Sequence, residues 1–214
     1  MDKIQVNRVL PDFISGTGNS VSEIWSKELA FHRGKNYLIR ASSGKGKSSL
    51  LSYIFGERTD YTGDILLDQA KLNTLTPAQW IKVRRTKISC VFQGLRLFPD
   101  LTAIENVIVK NQLTDHKTPV EISDLFVRIG LEEKMKEKVA RLSFGQQQRV
   151  AIIRALCQPF DFILMDEPFS HLDEENIAVV AGIVKEELAR KDAGLLLSTL
   201  GEEYPFEYQQ TFEL

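Results

Sequence analysis

Only two cysteines, Cys90 and Cys157, occur in the 214 residues, and each sits inside an apolar pattern. That excludes a disulfide framework and a cysteine-based metal site, and it reads instead as two small buried hydrophobes in a reducing compartment. No charge of one sign prevails: 27 Lys and Arg against 29 Asp and Glu leave a formal net charge of -2. The electrostatic case for tracking along nucleic acid or binding an anionic membrane surface is thereby removed. Long hydrophobic runs are missing as well. The longest, residues 177–184, is interrupted by Gly182 and falls well short of the roughly 18 residues that span a bilayer. The opening Met1-Asp2-Lys3-Ile4 has no basic stretch followed by an apolar one, so no secretory leader is expected. Repeats, low-complexity segments and Pro/Ser-rich linkers are absent too, and a chain of this length is expected to build one core with room for a small subdomain.

What is there alternates. Four short apolar runs, at residues 36–41, 88–92, 160–165 and 195–198, have the length of strands buried on both faces. Helical patterns separate them at 47–55, 146–156 and 174–189, the last placing Ile177, Val180, Ile183, Val184 and Leu188 on one face. Strands alternating with helices imply an α/β fold with a parallel sheet flanked by helices and right-handed crossovers. Residues 4–10, 23–31 and 64–67 alternate more loosely around turn material at Ser15-Gly16-Thr17-Gly18-Asn19, which suggests an N-terminal antiparallel β meander. Residues 101–141 read as helical and unusually charged, with 132–138 alternating sign. The expected organisation is one domain over 1–214, with a core from 1–100 and 142–214 and an inserted helical subdomain at about 101–141.

The sharpest chemical signal is Ala41-Ser42-Ser43-Gly44-Lys45-Gly46-Lys47-Ser48-Ser49, directly after one expected strand and opening a helix. Polyphosphate needs several backbone N–H groups converging on one concavity, and Gly44 and Gly46 let the backbone from Ser43 to Ser49 curl without side chains in the way. Lys47 adds a positive charge toward the outer phosphates, and the Ser48 hydroxyl suits the shell of a magnesium ion. Such P-loops usually begin with glycine. If the first position needed a positive φ, Ala41 would cost about 1–2 kcal/mol. A second requirement is an acid near the metal, and Phe162-Ile163-Leu164-Met165-Asp166-Glu167 ends an apolar strand in two. Asp166 is the candidate metal residue, and Glu167 is placed to polarise a water for attack on the terminal phosphate. Two acids after a strand often only mark a solvated loop; paired with the phosphate loop they become specific.

Between these elements lies Leu142-Ser143-Phe144-Gly145-Gln146-Gln147-Gln148-Arg149. The stretch resembles the signature sequence of the ABC ATPase family. Gln93 in Cys90-Val91-Phe92-Gln93 resembles that family's Q-loop glutamine, and Ser170-His171-Leu172-Asp173 its D-loop. Together the matches cover most of residues 36–200 in the family's order. Ser143, the Gly145 amide and the helix beginning near Gln146 present donors and a positive dipole end to a phosphate, although Ser143 also reads as an ordinary helix cap.

The resemblance implies a P-loop NTPase fold and a head-to-tail homodimer. ATP with Mg2+ would be sandwiched between the phosphate loop of one copy and Ser143, Gly145 and Gln146 of the other. It further implies Gln93 as a metal ligand and catalytic group beside Lys47 and Glu167, and Phe13 as the aromatic stacked on adenine. Without a spanning segment of its own, a transporter subunit would serve a separate integral membrane permease, docked near Gln93, Leu97 and Phe98. It would sit in the cytoplasm on the inner face of the plasma membrane. The text around Gln93 looks most like small bacterial subunits of lipoprotein-release, macrolide-efflux and cell-division machines.

Three positions depart from the family pattern: Ala41, Phe144 and Leu200. Leu200 stands where the family usually has a histidine near the terminal phosphate, and neither His32, His116 nor His171 obviously replaces it. Loss of one such contact lowers rate on the order of 100- to 1,000-fold. This motivates a second expectation, a nucleotide-gated interaction module with vestigial hydrolysis. Family members acting in DNA repair or translation are disfavoured, since neither a coiled-coil insertion nor a tandem second domain is seen, and no nucleic-acid partner is expected.

Overall fold

Strands whose side chains are apolar on both faces need cover on both sides, and that requirement organises this molecule. The structure, a computed structural model, describes residues 1–14 and 22–214. The turn expected at 15–19 lies outside the described residues. In chain order the elements are β1 (Lys3–Pro11), β2 (Glu28–His32), β3 (Asn36–Arg40), α1 (Lys47–Ile54), β4 (Tyr61–Leu67), β5 (Ala70–Lys71), α2 (Pro77–Thr86), β6 (Ile88–Val91) and α3 (Ala103–Asn111). There follow α4 (Pro119–Arg128), α5 (Phe144–Leu156), β7 (Phe162–Asp166), α6 (Glu174–Lys191), β8 (Gly194–Thr199) and β9 (Gln210–Glu213).

Strands β6-β7-β8-β3-β9 form a sheet, in that order, and every pair in it is parallel. Strands β2-β1-β4-β5 form a second, antiparallel sheet. Alternate residues of β7 and β8 feed two cores. Ile163, Met165, Leu195 and Leu197 join Phe126, Val150 and Ile153 from the helical side. Phe162, Leu164 and Leu196 join Ile4, Phe31, Leu50 and Tyr53, between the two sheets. The α/β fold expected from the sequence is the one observed. Among the described residues no helix is long and apolar enough to cross a membrane. Both cysteines are free, and burial pushes their thiols up, that of Cys157 to about 12.

Local chemistry moves several boundaries. Residues 23–31 do not make one strand: the Ser22 hydroxyl accepts from the amides of Ile24 and Trp25 at 3.1 and 2.9 Å, turning the chain so that β2 starts only at Glu28. The charged stretch 132–138 is not a helix beyond one 3₁₀ turn at Glu132–Lys134. Its carbonyls are used elsewhere, since Met135 and Glu137 accept from the amides of Ile104 and Ala103, each at 3.0 Å, at the start of α3. Helix α2 buries none of its residues and so leaves no apolar period in the sequence. Its signal is local: Thr76 and Gln79 form a capping box with Pro77 between them at the first helical position.

Candidate active site

Parallel strands deliver their carboxyl ends to one edge of the sheet, and the chemistry-bearing residues lie along it. The loop leaving β3 leads into α1, and Gly44 and Gly46 take φ of +81° and +101°, a region open to glycine at little cost. Ala41 has no positive φ, so the strain that its alanine would have brought does not arise. Helices α2, α3, α4, α5 and α6 are each capped by a side chain, of Thr76, Thr102, Thr118, Ser143 and Asp173. Helix α1 is not; its cap residue is Gly46, with no side-chain hydrogen bond. Its first N–H groups are thus kept for an outside acceptor, the arrangement that suits an anion.

The cleft beside this helix end, about 170 Å³, is lined by Phe13, Ser43, Gly44, Gly46, Lys47, Ser48, Ser49, Gln93 and Glu167. Lys47 is buried and turns its ammonium onto the loop, donating to the carbonyls of Ala41 and Ser42 at 2.6 and 3.3 Å. It also makes an ion pair with Glu167 at 3.4 Å. Ser48 Oγ donates to Gln93 Oε1 at 3.5 Å, and Gln93 Nε2 donates to Glu167 Oε2 at 3.2 Å. These bonds are long, so the groups are gathered without being committed to one another. Ser49 is buried and accepts from Arg58 at 2.8 Å. The Lys45 side chain points outward, while its carbonyl accepts from Trp25 Nε1 at 3.4 Å.

Asp166 is buried just behind the cleft, accepting from Ser198 Oγ at 2.5 Å. Ser198 also accepts from the Glu167 amide at 3.3 Å. It was missed in the sequence, and its signal is register: β7 and β8 pair Asp166 with Ser198, which strand order alone reveals. Glu167 sits at φ +48°, which for a non-glycine residue costs about 1–2 kcal/mol. Its carbonyl accepts from Gln148 Nε2 at 3.1 Å and from Ser170 Oγ at 3.2 Å. Ser48, Gln93 and Asp166 offer only oxygen ligands, and no group of three or more His, Cys, Asp or Glu converges among the described residues. That set fits Mg2+, which takes few protein oxygens and completes its shell with water and substrate phosphate. Chemically, the cleft offers a cation and a helix end to a polyphosphate, and a carboxylate to a water.

Residues 26–170, which include the phosphate loop and the acidic strand, match the model of the ABC transporter family. The chain belongs to that family. ABC transporter ATP-binding protein Rv0073 of Mycobacterium tuberculosis is 33% identical over 87% of this chain, which spans only 57% of that relative. The lipoprotein-releasing system ATP-binding protein LolD of Psychrobacter arcticus is 30% identical over 80% of this chain and 78% of its own length. A dimeric structure of MJ0796, a bacterial ABC transporter cassette, superposes with a TM-score of 0.79 at 29% identity, covering 92% of this chain and 88% of that one. A second MJ0796 structure, a post-hydrolysis state bound to ADP and Pi, gives a TM-score of 0.77.

Within this ABC cassette, Ser143, Gly145 and Gln146 do not line the cleft. Ser143 Oγ accepts from the Gln146 amide at 3.3 Å, and Gln146 Oε1 accepts from the Ser143 amide at 2.9 Å. Gly145 is required by close approach, since a Cβ there would meet the His171 carbonyl at 2.8 Å. Phe144, the departure beside it, is 45% exposed and lies edge-on to the His171 ring at 4.4 Å. Leu200 is 49% exposed beyond β8. Phe13, 46% exposed, stands over the loop, 3.3 Å from where a Gly46 Cβ would be. Leu97 packs against the helical core, whereas Phe98 is exposed.

Proposed function

We propose that this ABC cassette binds and hydrolyses ATP, closing as a head-to-tail homodimer around it to drive a separate membrane-spanning partner. The observation that carries the reading is the convergence of Lys47, Ser48, Gln93 and Glu167 on one cleft at an uncapped helix end. Phosphate oxygens compete with the Ala41 carbonyl for the Lys47 ammonium, and the amides of Gly44 to Ser49 take up the remaining charge. Glu167, turned toward the cleft by its left-handed backbone, accepts the proton of the attacking water, and Gln93 orients that carboxylate. Ser48, Gln93 and Asp166 are the residues that would hold Mg2+, which when bound would neutralise charge at the phosphates. Phe13 stacks on the adenine. Ser143, Gly145 and Gln146 serve the site of a second copy, since they lie outside this chain's own cleft.

The domain organisation follows the same reading, with a core of 1–100 and 142–214 and a helical subdomain at about 101–141. Gln93, Leu97 and exposed Phe98 form the face offered to the permease, at the inner side of the plasma membrane. The name of the LolD relative makes a lipoprotein-handling machine one candidate setting. A second reading rests on Leu200, which has no polar group to offer a terminal phosphate: a nucleotide-gated module in which closure is the signal and hydrolysis is vestigial. Steady-state turnover with Mg2+, measured on the wild type, Glu167→Gln and Leu200→His with ATP binding followed in parallel, separates the two. Turnover abolished by Glu167→Gln supports the motor. Tight ATP binding with turnover only after Leu200→His favours the gated module.

A further inference from the structure

The chain leaving β6 adopts a backbone that L-residues avoid. Leu95 and Arg96 take φ of +55° and +52° in succession, although neither is a glycine or an asparagine. Such a conformation persists only where its surroundings hold it. Arg154, in the last turn of α5, supplies the hold: Nη2 donates to the Leu95 carbonyl at 2.6 Å and Nη1 to the Arg96 carbonyl at 2.5 Å. A planar guanidinium can span two successive carbonyls, and an ammonium cannot do so with the same geometry. Burial and then the charge of Arg96 draw the pKa of Arg154 down to about 10, so it still carries its charge at neutral pH.

A second anchor holds the same turn. The Arg96 guanidinium lies over the Phe92 ring at 3.7 Å and pairs with both carboxylate oxygens of Glu57, just beyond α1. Phe92 in turn meets Phe55 edge-on at 5.4 Å. The Leu95 amide donates to the Phe92 carbonyl at 2.8 Å and closes the turn. Gln93 is inside that turn, bridging Ser48 and Glu167 through its amide. Its own two hydrogen bonds are long, 3.5 and 3.2 Å.

We infer that Arg154 is a positioning residue for Gln93, locking the left-handed pair Leu95 and Arg96 so that the Gln93 amide faces bound nucleotide and its metal. This rests on the reading of Gln93 given above. The role of Arg154 is indirect: it touches carbonyls of the turn, and its effect reaches the cleft only through Gln93.

The test is a double-mutant cycle on the full chain with Arg154→Gln, Gln93→Ala and the pair, with Arg154→Lys as the conservative variant. Two quantities are read: turnover, and the gain in ATP affinity on going from EDTA to Mg2+. Removing an outer support of a metal site costs on the order of tenfold in activity or metal-linked affinity. Arg154→Gln is expected to show that loss in kcat and in the Mg2+ gain, with affinity in EDTA unchanged and Arg154→Lys intermediate. Added to Gln93→Ala it is expected to do nothing more, because its effect passes through that side chain. Losses that add in the pair, or an equal fall of affinity in EDTA, overturn the inference and make Arg154 a general structural support. A wild type without turnover refutes hydrolysis alone, since the Mg2+ gain still reads the position of Gln93. A wild type without any Mg2+ gain overturns the inference.

Discussion

Two buried lysine–glutamate pairs in this molecule have nearly the same exposure and opposite bonding. Lys47 and Glu167 are 4% and 10% exposed and stand 3.4 Å apart. Lys117 and Glu187 are 3% and 10% exposed and stand 2.8 Å apart. Glu187 is saturated: Lys117 and Arg190 donate to it at 2.8 Å each, and Lys191 adds a third cation. Burial alone would raise its carboxyl, but the hydrogen bonds and charges of Lys117 and Lys191 outweigh that and hold it down to about 2. The pair joins the segment between α3 and α4 to the end of α6, where Asn111 also grips both the amide and the carbonyl of Lys117. The Glu167 carboxylate has one long hydrogen bond and one long ion pair, on a residue with a left-handed backbone. A buried carboxylate this loosely satisfied suits the role proposed for Glu167, whereas one so fully satisfied is a fastening.

The largest effect that can break this contrast is on stability. Removing one partner of a saturated buried pair leaves a charge uncompensated, so Glu187→Gln is expected to cost about 3–5 kcal/mol in chemical denaturation. Glu167→Gln, which gives up only long contacts, is expected to cost about 1 kcal/mol or less. Equal losses would erase the distinction. Next in size is binding: Lys47→Ala, which removes the cation proposed to meet phosphate, is expected to lower ATP affinity by about 1.5–3 kcal/mol or on the order of 10- to 100-fold. Lys117→Ala is expected to leave ATP affinity of the folded protein unchanged, as a titration of both variants would establish.

Acid sharpens the contrast with a smaller effect. His116, beside the fastening, is drawn down from 6.5 to about 4 by burial and by the charges of Lys191, Lys117 and Arg190, against Glu187. The folded protein thus favours the neutral ring, and the stability this contributes is present above about pH 6.5 and lost as pH falls toward 4. The Glu187 contribution is present above about pH 4.5 and lost as pH falls toward 2. Unfolding midpoints measured from pH 7.5 to 4 should therefore decline in the wild type, and His116→Gln should flatten the upper part of that decline. An unchanged slope would remove His116 from the account.

How much of this is legible without coordinates depends on whether a residue's reason is local. The phosphate loop is legible because glycines, a lysine and a serine in fixed order after an apolar run have few other uses. The strand ending in Asp166 and Glu167 is legible because burial on both faces writes a continuous apolar run. Ser198 is not, since only the pairing of β7 with β8 brings it to Asp166. Arg154 is not either: left-handed backbone at Leu95 and Arg96 leaves no mark in a sequence that lacks glycine there. The segment 132–138 misleads because its alternating charges resemble a solvated helix, while its carbonyls are needed by the amides that open α3. Gly145 is readable as a phosphate contact, yet its observed constraint within one chain is the His171 carbonyl.

The most direct test of the central claim measures phosphate release and unfolding on the same preparations of wild type, Glu167→Gln and Glu187→Gln, with ATP and Mg2+. Glu167→Gln is expected to keep its fold and its ATP affinity but to lose turnover on the order of 100-fold or more, while folded Glu187→Gln is expected to turn over ATP yet unfold far more easily. Turnover undiminished in Glu167→Gln, or a loss of stability there equal to that of Glu187→Gln, would contradict it.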